Sequence, residues 1–262
     1  MIRNLDHIKT VSGQITKLLN FLDIDVCKNG DRAIFFDVDG TLSRDDCLEL
    51  LISTIIQEGL IPQEEQNRSY KCAREAWKNH DISFHDYLDL VIKATASLKQ
   101  LSEEELNNIV KSLVKNKGYY YLFTWLMLIR LKTMGYKLIA VSGAPDFMLR
   151  EFLKNAGIFT DSIDSSRYIF KDGKFTGEID LSVIKDKGAY ITNKFGKDLD
   201  FSKCIALGDT VNDLKLFEPV GKVVTVNPTF ELAEVAKKKK WPIVVERKNL
   251  ILVFPKAEIE ID

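Results

Sequence analysis

The sequence predicts an α/β protein in which a mainly parallel sheet is interrupted, after its first strand, by a helical insert. Three observations carry this. Short apolar runs of strand character recur along the chain (AIFF, KLIAVSG, CIALGD, KVVTVN, IVVE), with helix-length periodic segments between them. Strands alternating with helices form a parallel sheet covered on both faces. The stretch from about Arg44 to Arg130 is almost entirely helix-periodic, and strand-like runs end in acids, Ser or Gly. Ligands of open parallel sheets sit at those carboxyl ends.

The elements follow in order. Residues 1–30 read as a helical lead-in, since Ile8, Val11, Ile15, Leu18, Leu19 and Leu22 recur at three- and four-residue steps, and the stripe packs on the main body. Ala33 to Phe36 is the first strand. The insert divides into CLELLISTIIQEGL, EEQNRSYKCAREAW, FHDYLDLVIKATASL, EEELNNIVKSLV and YLFTWLMLIRLKTM, with breaks at Gly59 to Pro62, Asn79 to Ser83, Ser102 and Gly118. Four to five consecutive helices with short links form a bundle. Ser83 and Ser102 are N-cap candidates, Ser102 with Glu105 as a capping box. KLIAVSG is a strand and DFMLREFLKNAGI a helix that ends at Gly157. RYIFKDGKFTGEI is a small β-hairpin turning at Asp172-Gly173. VIKDKGAYITNKF is a helix, CIALGD a strand, VNDLKLFEPV a helix and KVVTVN a strand. PTFELAEVAKKKK is a helix opened by Pro228, and IVVE is the last strand. The division is 1–42 plus 131–262 for the α/β core, with 1–30 as its extension, and 43–130 for the helical insert.

Hydrophobic residues make up 45% and charged residues 29% of the 262 positions, enough for a sizeable core in a soluble chain. With 37 basic and 38 acidic residues the net charge is -1, so no field draws nucleic acid. The longest apolar cluster, Tyr119 to Leu131, is broken by Thr124 and Arg130, so no spanning helix is expected. MIRNLDHIKT lacks the basic-then-apolar layout of a secretion signal. Cys27, Cys47, Cys72 and Cys204 form no close pair and read as free buried thiols in a reducing cytoplasm. His7, His80 and His85 are scattered in polar surroundings and read as surface residues.

The chemistry concentrates at strand ends. In RAIFFDVDGTL, Asp37 and Asp39 stand two apart, so both carboxylates project the same way if the strand geometry persists. Gly40 permits a sharp turn and Thr41 adds a hydroxyl; a plain polar turn would use the same residue types. CIALGDTVND repeats the layout with Asp209 and Asp213, and acids from two strand ends suit one hard cation such as Mg²⁺. Ser142 ends LIAVS, and Pro145 suits a first helical turn whose N-terminus attracts an anion. Lys187, in IKDKGAY, is by residue type alone an ordinary surface lysine.

Taken together, DVDGT, VSG, a lysine and GDTVND in this order resemble the four motifs of the haloacid dehalogenase superfamily of phosphatases, from Asp37 to Asp213. The insert, the Asp172-Gly173 hairpin and NPTFELAEVAKKKKWPIV resemble the phosphoserine-phosphatase-like subgroup, subfamily IB. The resemblance implies a Rossmann-like core with a helical cap, acting as a Mg²⁺-dependent phosphatase on a small phosphorylated metabolite. It implies Asp37 as nucleophile and Asp39 as general acid, then base. Ser142 and Lys187 would hold the phosphoryl oxygens. Mg²⁺ would be bound by Asp37, the backbone carbonyl of Asp39 and Asp209. Thr41, Gly143, Asn212 and Asp213 would support the site. Asp39 must then be protonated at first, so its pKa should lie above the ordinary value.

The subgroup's substrate-recognising glutamate falls on Asp46, with Asp45 adjacent; as alternatives, both are N-caps of the first insert helix. Its arginine falls near Val91, which cannot grip a carboxylate and argues against phosphoserine; Arg74 is another arginine of the insert. Tyr119, Tyr120, Tyr121, Phe123 and Trp125 either pack in the core or line a pocket for an apolar group. Lys237 to Lys240 either favour a helix C-terminus or meet anionic lipid. The alternatives to a metabolite phosphatase are therefore a lipid or lysolipid phosphatase, phosphoryl transfer to an acceptor other than water, and a binding module without catalysis.

Overall fold

The structure is a computed structural model that describes residues 5–60, 101–117 and 119–256, with isolated positions between 75 and 99. Ser83, Phe84, Val91, Arg74, Cys72, His80 and His85 lie outside the described residues, as does most of the middle of the insert.

The lead-in is a helix, α1 (Leu5–Phe21), which buries Val11, Ile15, Leu18 and Leu19. The first strand, β1 (Ala33–Phe36), is buried along its whole length. It is a central strand, so both faces of its AIFF run are covered: Phe35 packs into one apolar cluster and Phe36 into the other. This is why it reads as a continuous apolar run rather than an alternating one.

Between β1 and the second strand come α2 (Cys47–Gln57), α3 (Glu103–Lys117) and α4 (Leu122–Thr133). Ser102 caps α3 as expected: its Oγ accepts from the Glu105 N–H at 3.1 Å, and Glu105 Oε2 accepts from the Ser102 N–H at 2.7 Å. The boundary drawn at 130/131 falls inside α4, which packs on α1 and on the second strand. The aromatic cluster is mostly spent on packing. Phe123 is fully buried, Tyr120 stacks on Trp125 at 5.5 Å, and Trp125 Nε1 donates to Ala156 O at 2.7 Å.

The second strand, β2 (Lys137–Pro145), runs parallel to β1 and feeds α5 (Asp146–Asn155). Pro145 is therefore the last strand residue and not part of the first helical turn, and Asp146 places a carboxylate in that turn. Gly157, at φ +69, follows the end of α5. Strands β3 (Ser162–Lys171) and β4 (Lys174–Asp180) make the expected hairpin. Lys171 pairs with Lys174 across Asp172 and Gly173, which have φ of +51 and +73, as a two-residue turn of this hand requires. The hairpin is not a separate appendage, because β3 also pairs in parallel with β2.

The single predicted helix after it is two: α6 (Ser182–Lys185) and α7 (Lys187–Phe195). Asp186 is extended (φ -155, ψ 91), and its side chain accepts from the Ala189 N–H, capping α7. Then follow β5 (Ile205–Gly208), a 3-10 turn at Val211–Asp213 with α8 (Leu214–Phe217), and β6 (Lys222–Val226). The next helix, α9 (Phe230–Lys239), is capped by Thr229, whose hydroxyl accepts from the Leu232 N–H, so Pro228 stands outside it. Lys237, Lys238 and Lys239 occupy its last turn. β7 (Ile243–Arg247) is not the last strand, because β8 (Leu250–Phe254) pairs antiparallel to it.

These strands form one sheet in the order β4-β3-β2-β1-β5-β6-β7-β8, antiparallel only at the two edge pairs. β1, β2 and β5 are thus neighbours, and their carboxyl ends meet. Among the described residues no helix is long and apolar enough to cross a membrane.

Candidate active site

Parallel pairing explains how residues 172 positions apart in the chain come together. Phe36 sits opposite Leu207, and the Asp37 N–H donates to Leu207 O at 3.0 Å, so Asp37 and Asp209 both emerge from the ends of adjacent strands. Asp213 returns to the same place because the chain turns at once: it closes a capping box with Thr210. Carboxylate oxygens of Asp37, Asp209 and Asp213 all lie within 4.8 Å of one another. Two glycines make this approach possible. A Cβ on Gly40 would lie 2.0 Å from Asp209 Oδ2, and Gly40 holds φ +77, which only glycine adopts without strain. A Cβ on Gly208 would lie 2.6 Å from the Asp213 carboxyl carbon.

Lys187 is buried, not a surface lysine. Its Nζ donates to Asp37 Oδ1 at 2.7 Å and to Asp213 Oδ1 at 2.6 Å. It is the first residue of α7, set there by the Asp186 cap. Asp213 Oδ2 accepts from the Asp209 and Thr210 N–H groups at 3.2 and 3.3 Å. Thr41 Oγ1 donates to Asp209 Oδ1 at 3.2 Å, and Thr41 O accepts from Thr124 Oγ1 at 2.8 Å.

The charges are unbalanced. Burial pushes Asp37 up to about 7, against the pull of Lys187, and the charge of Asp213 adds to the rise. Burial likewise raises Asp209 well above the ordinary carboxylate value, with Asp213 and Asp37 adding to it. Burial lowers Lys187, but Asp213 and Asp37 outweigh it and hold the ammonium well above its usual range. Three carboxylates facing one ammonium carry two uncompensated negative charges when ionised, which is a fit for a divalent cation. The donors are all oxygen, as Mg²⁺ prefers.

Asp39 has a different environment. Its Oδ1 accepts from the Cys47 N–H at 3.0 Å, at the start of α2. Burial raises it well above the ordinary value, and the charges of Asp46 and Asp37 add to the rise. That is the direction a proton donor needs. Asp46 Oδ1 accepts from the Glu49 N–H at 2.8 Å, so Asp46 is the N-cap of α2. Asp45 lies beside it, half-buried.

Ser142 is fully buried on β2, opposite Ser165, and its Oγ accepts from the Ala144 N–H at 3.2 Å. Gly143 follows it against Ile184. Asn212 is half-buried in the 3-10 turn. Sequence reasoning missed Thr124 and the Cys47 N–H, which hold Thr41 and Asp39. The only signal for Thr124 was a polar residue interrupting an apolar run.

Comparison with known proteins agrees with this geometry. The profile described as haloacid dehalogenase-like hydrolase matches residues 34–218. The phosphoserine phosphatase of Methanocaldococcus jannaschii is 26% identical over 222 residues, covering 84% of this chain and 94% of that one. The histidinol-phosphatase of Neisseria meningitidis serogroup C is 25% identical over 217 residues, covering 80% and 96%. Among solved structures, a Bordetella pertussis Tohama I protein with unknown function superposes with a TM-score of 0.69 at 18% identity, covering 81% of this chain and 97% of that one. A phosphoserine phosphatase holding a phospho-aspartyl intermediate analogue superposes with a TM-score of 0.59 at 22% identity, covering 83% and 94%. These structural likenesses establish the shared fold.

Proposed function

Since the chain belongs to the haloacid dehalogenase-like hydrolase family, we propose that it is a Mg²⁺-dependent phosphatase that hydrolyses a small phosphate monoester through an aspartyl phosphate on Asp37. One observation carries the reading: a buried carboxylate paired with Lys187 stands beside two further acids and two residues before a half-buried acid, Asp39, whose pKa is raised. A nucleophile and a proton donor in one pocket serve covalent catalysis, and a binding module has no use for the pair. The phosphatase names of the relatives from Methanocaldococcus and Neisseria point the same way.

In this reading an Asp37 oxygen attacks phosphorus and the bond to the ester oxygen breaks. Asp39 gives its proton to that oxygen, and the alcohol leaves. Water then attacks the phosphorus of the aspartyl phosphate while Asp39 takes its proton back; phosphate departs and Asp37 is restored. Lys187, fixed by Asp213, neutralises phosphoryl oxygens, and Ser142 with the Gly143 backbone holds them. Asp37 and Asp209, with the Asp39 carbonyl, would hold Mg²⁺; Asp213, whose oxygens accept from Lys187 and from the Asp209 and Thr210 N–H groups, would steady that shell, and Asn212 would assist. The bound ion offsets the repulsion between a phosphate dianion and these carboxylates. In this reading the insert is the cap: its first helix, α2, meets the site where the Cys47 N–H donates to Asp39 Oδ1, and α4 is fixed to the core.

Phosphoserine and histidinol phosphate both carry the phosphate on a primary alcohol next to an ammonium-bearing carbon. Asp45 and Asp46, at the entrance to the insert, suit such an ammonium. Phosphate esters of amino alcohols are therefore the first substrates to try. The test is a phosphate-release screen over phosphorylated metabolites, with Mg²⁺ and with chelator, beside Asp37→Asn. Release in Mg²⁺ that disappears with chelator and with Asp37→Asn, while the variant stays folded, is the expected result. Undiminished activity of folded Asp37→Asn removes Asp37 as the nucleophile.

A further inference from the structure

One buried charge has no part in the chemistry above. Glu246 lies on β7, beyond the residues that the family profile matches, and is 5% exposed. Its carboxylate accepts from the first two N–H groups of α4, Leu122 at 2.9 Å and Phe123 at 2.8 Å, and takes an ion pair from Arg44. Arg44 also donates to Lys248 O at 3.3 Å, and its guanidinium lies 4.8 Å from the centre of the Tyr121 ring. Glu246 itself is fixed through its backbone, whose N–H donates to Asn227 Oδ1 at 2.7 Å.

The groups that Glu246 holds lead directly to the site. Arg44 directly follows the turn after the nucleophile, and its N–H donates to Tyr119 O at 3.0 Å. The Tyr121 N–H donates to Leu42 O at 2.8 Å. Thr124, in the first turn of α4, donates to Thr41 O, and Thr41 in turn donates to Asp209. The start of α4 is therefore tied to Thr41 and Leu42, and Glu246 is what ties the start of α4 to the sheet. A buried carboxylate is retained only where its hydrogen bonds and counter-charge offset the loss of water, and here helix N–H groups and a guanidinium do so.

We propose that Glu246 is a positioning residue for the nucleophile loop: by clamping Arg44 and the N-terminus of α4 together, it sets where Thr41 and the Asp37–Asp39 turn stand relative to Asp209. The proposal rests on the phosphatase reading. A displacement of about 1 Å at reacting groups costs on the order of a hundredfold in rate. The isosteric Glu246→Gln removes the charge and puts an amide N–H₂ against one of its donors.

The experiment measures p-nitrophenyl phosphate hydrolysis in Mg²⁺ for wild type, Glu246→Gln, Thr124→Val and the double variant. Amide hydrogen exchange is followed at Leu42 and Ser43, whose N–H groups donate to Val38 O at 2.8 and 2.7 Å. Glu246→Gln is expected to lower kcat about ten- to a hundredfold with KM changed much less, and to speed exchange at both amides. Thr124→Val lowers kcat too, and the double variant falls short of the product of the single losses, because both act through one contact chain. A folded Glu246→Gln with unchanged kcat and unchanged exchange, or fully multiplicative losses, overturns the proposal. Should Glu246→Gln not fold, Thr124→Val decides, and an unchanged kcat there overturns it. An inactive wild type refutes the phosphatase reading instead, and the exchange rates then decide the positioning role alone.

Discussion

At the scale of single residues, the site depends as much on what is absent as on what is present. Gly40 is the sharpest case, because its hydrogen stands where any other residue would drive a methyl to 2.0 Å from Asp209 Oδ2. Gly40→Ala must also hold φ +77, at a cost of about 1–3 kcal/mol for a non-glycine residue in that region. The variant is expected to be less stable by about that amount and to lose most of its phosphate release, since Asp209 has to move; chemical denaturation and the release assay check the two effects. Asp37 and Asp209 were legible as acids where apolar runs end, and Asp213 as the second acid of that layout four residues on; the parity argument for Asp39 does not carry through, because β1 stops at Phe36 and Asp39 turns to the Cys47 N–H. Lys187 was legible only through family resemblance, because one lysine among many carries no signal of burial. Thr124 and the Cys47 N–H were not legible at all. Their roles depend on which helix start meets which loop, and that is a property of three-dimensional packing.

At the scale of elements, Asp186 joins stability to chemistry. It interrupts what periodicity reads as one helix, and it caps α7 by accepting from the Ala189 N–H at 2.9 Å. Lys187 is then the first helical residue, and its position follows from where the helix starts. Replacing a capping Asp by Ala costs about 1 kcal/mol, whereas Asn caps equally well. Asp186→Ala is therefore expected to lose about that much stability and also turnover, through a misplaced Lys187, while Asp186→Asn keeps both. Denaturant midpoints beside kcat decide it, and equal turnover in the two variants removes the link. The same element shows the limit of periodicity. An i, i+3, i+4 pattern continues across one extended residue without a break, so α6 and α7 read as one. Two-residue turns differ in how plainly they announce themselves. Asp172-Gly173 is a strong hairpin signature, and that hairpin was read correctly. The turn into β8 uses Lys248 at φ +57, a residue type with no turn signature, and β8 went unread. Pairing between distant strands is equally silent in sequence, so the hairpin's parallel partnership with β2 appears only in the structure.

At the scale of the whole molecule, the sheet gathers acidic side chains from β1 and β5 into a pocket that burial makes costly to ionise. Their cost falls on the folded protein as a dependence on pH. Asp37 is pushed up to about 7, and Asp39 and Asp209 are also raised, chiefly by burial. In the unfolded chain such carboxylates titrate near 4. Between about pH 4 and pH 7 the folded, metal-free protein therefore binds more protons than the unfolded chain, and its stability falls as pH rises through that window. Lys187 has the opposite sense: a raised ammonium stabilises below its unfolded value, about 10.4, so its contribution stays constant across this range. A divalent cation competes with protons for the same oxygens and reverses the trend. Calorimetry in chelator is expected to show the Tm falling between about pH 5 and pH 8, with a smaller fall in Asp37→Asn, which has one carboxylate fewer to ionise. Added Mg²⁺ raises the Tm more at about pH 8 than at pH 5, because at the lower pH it must first displace protons. A chelated wild type whose slope matches that of Asp37→Asn would mean that Asp37 ionises freely in the folded chain. The slope would then come from Asp39 and Asp209 alone, and the shift assigned to Asp37 would be removed.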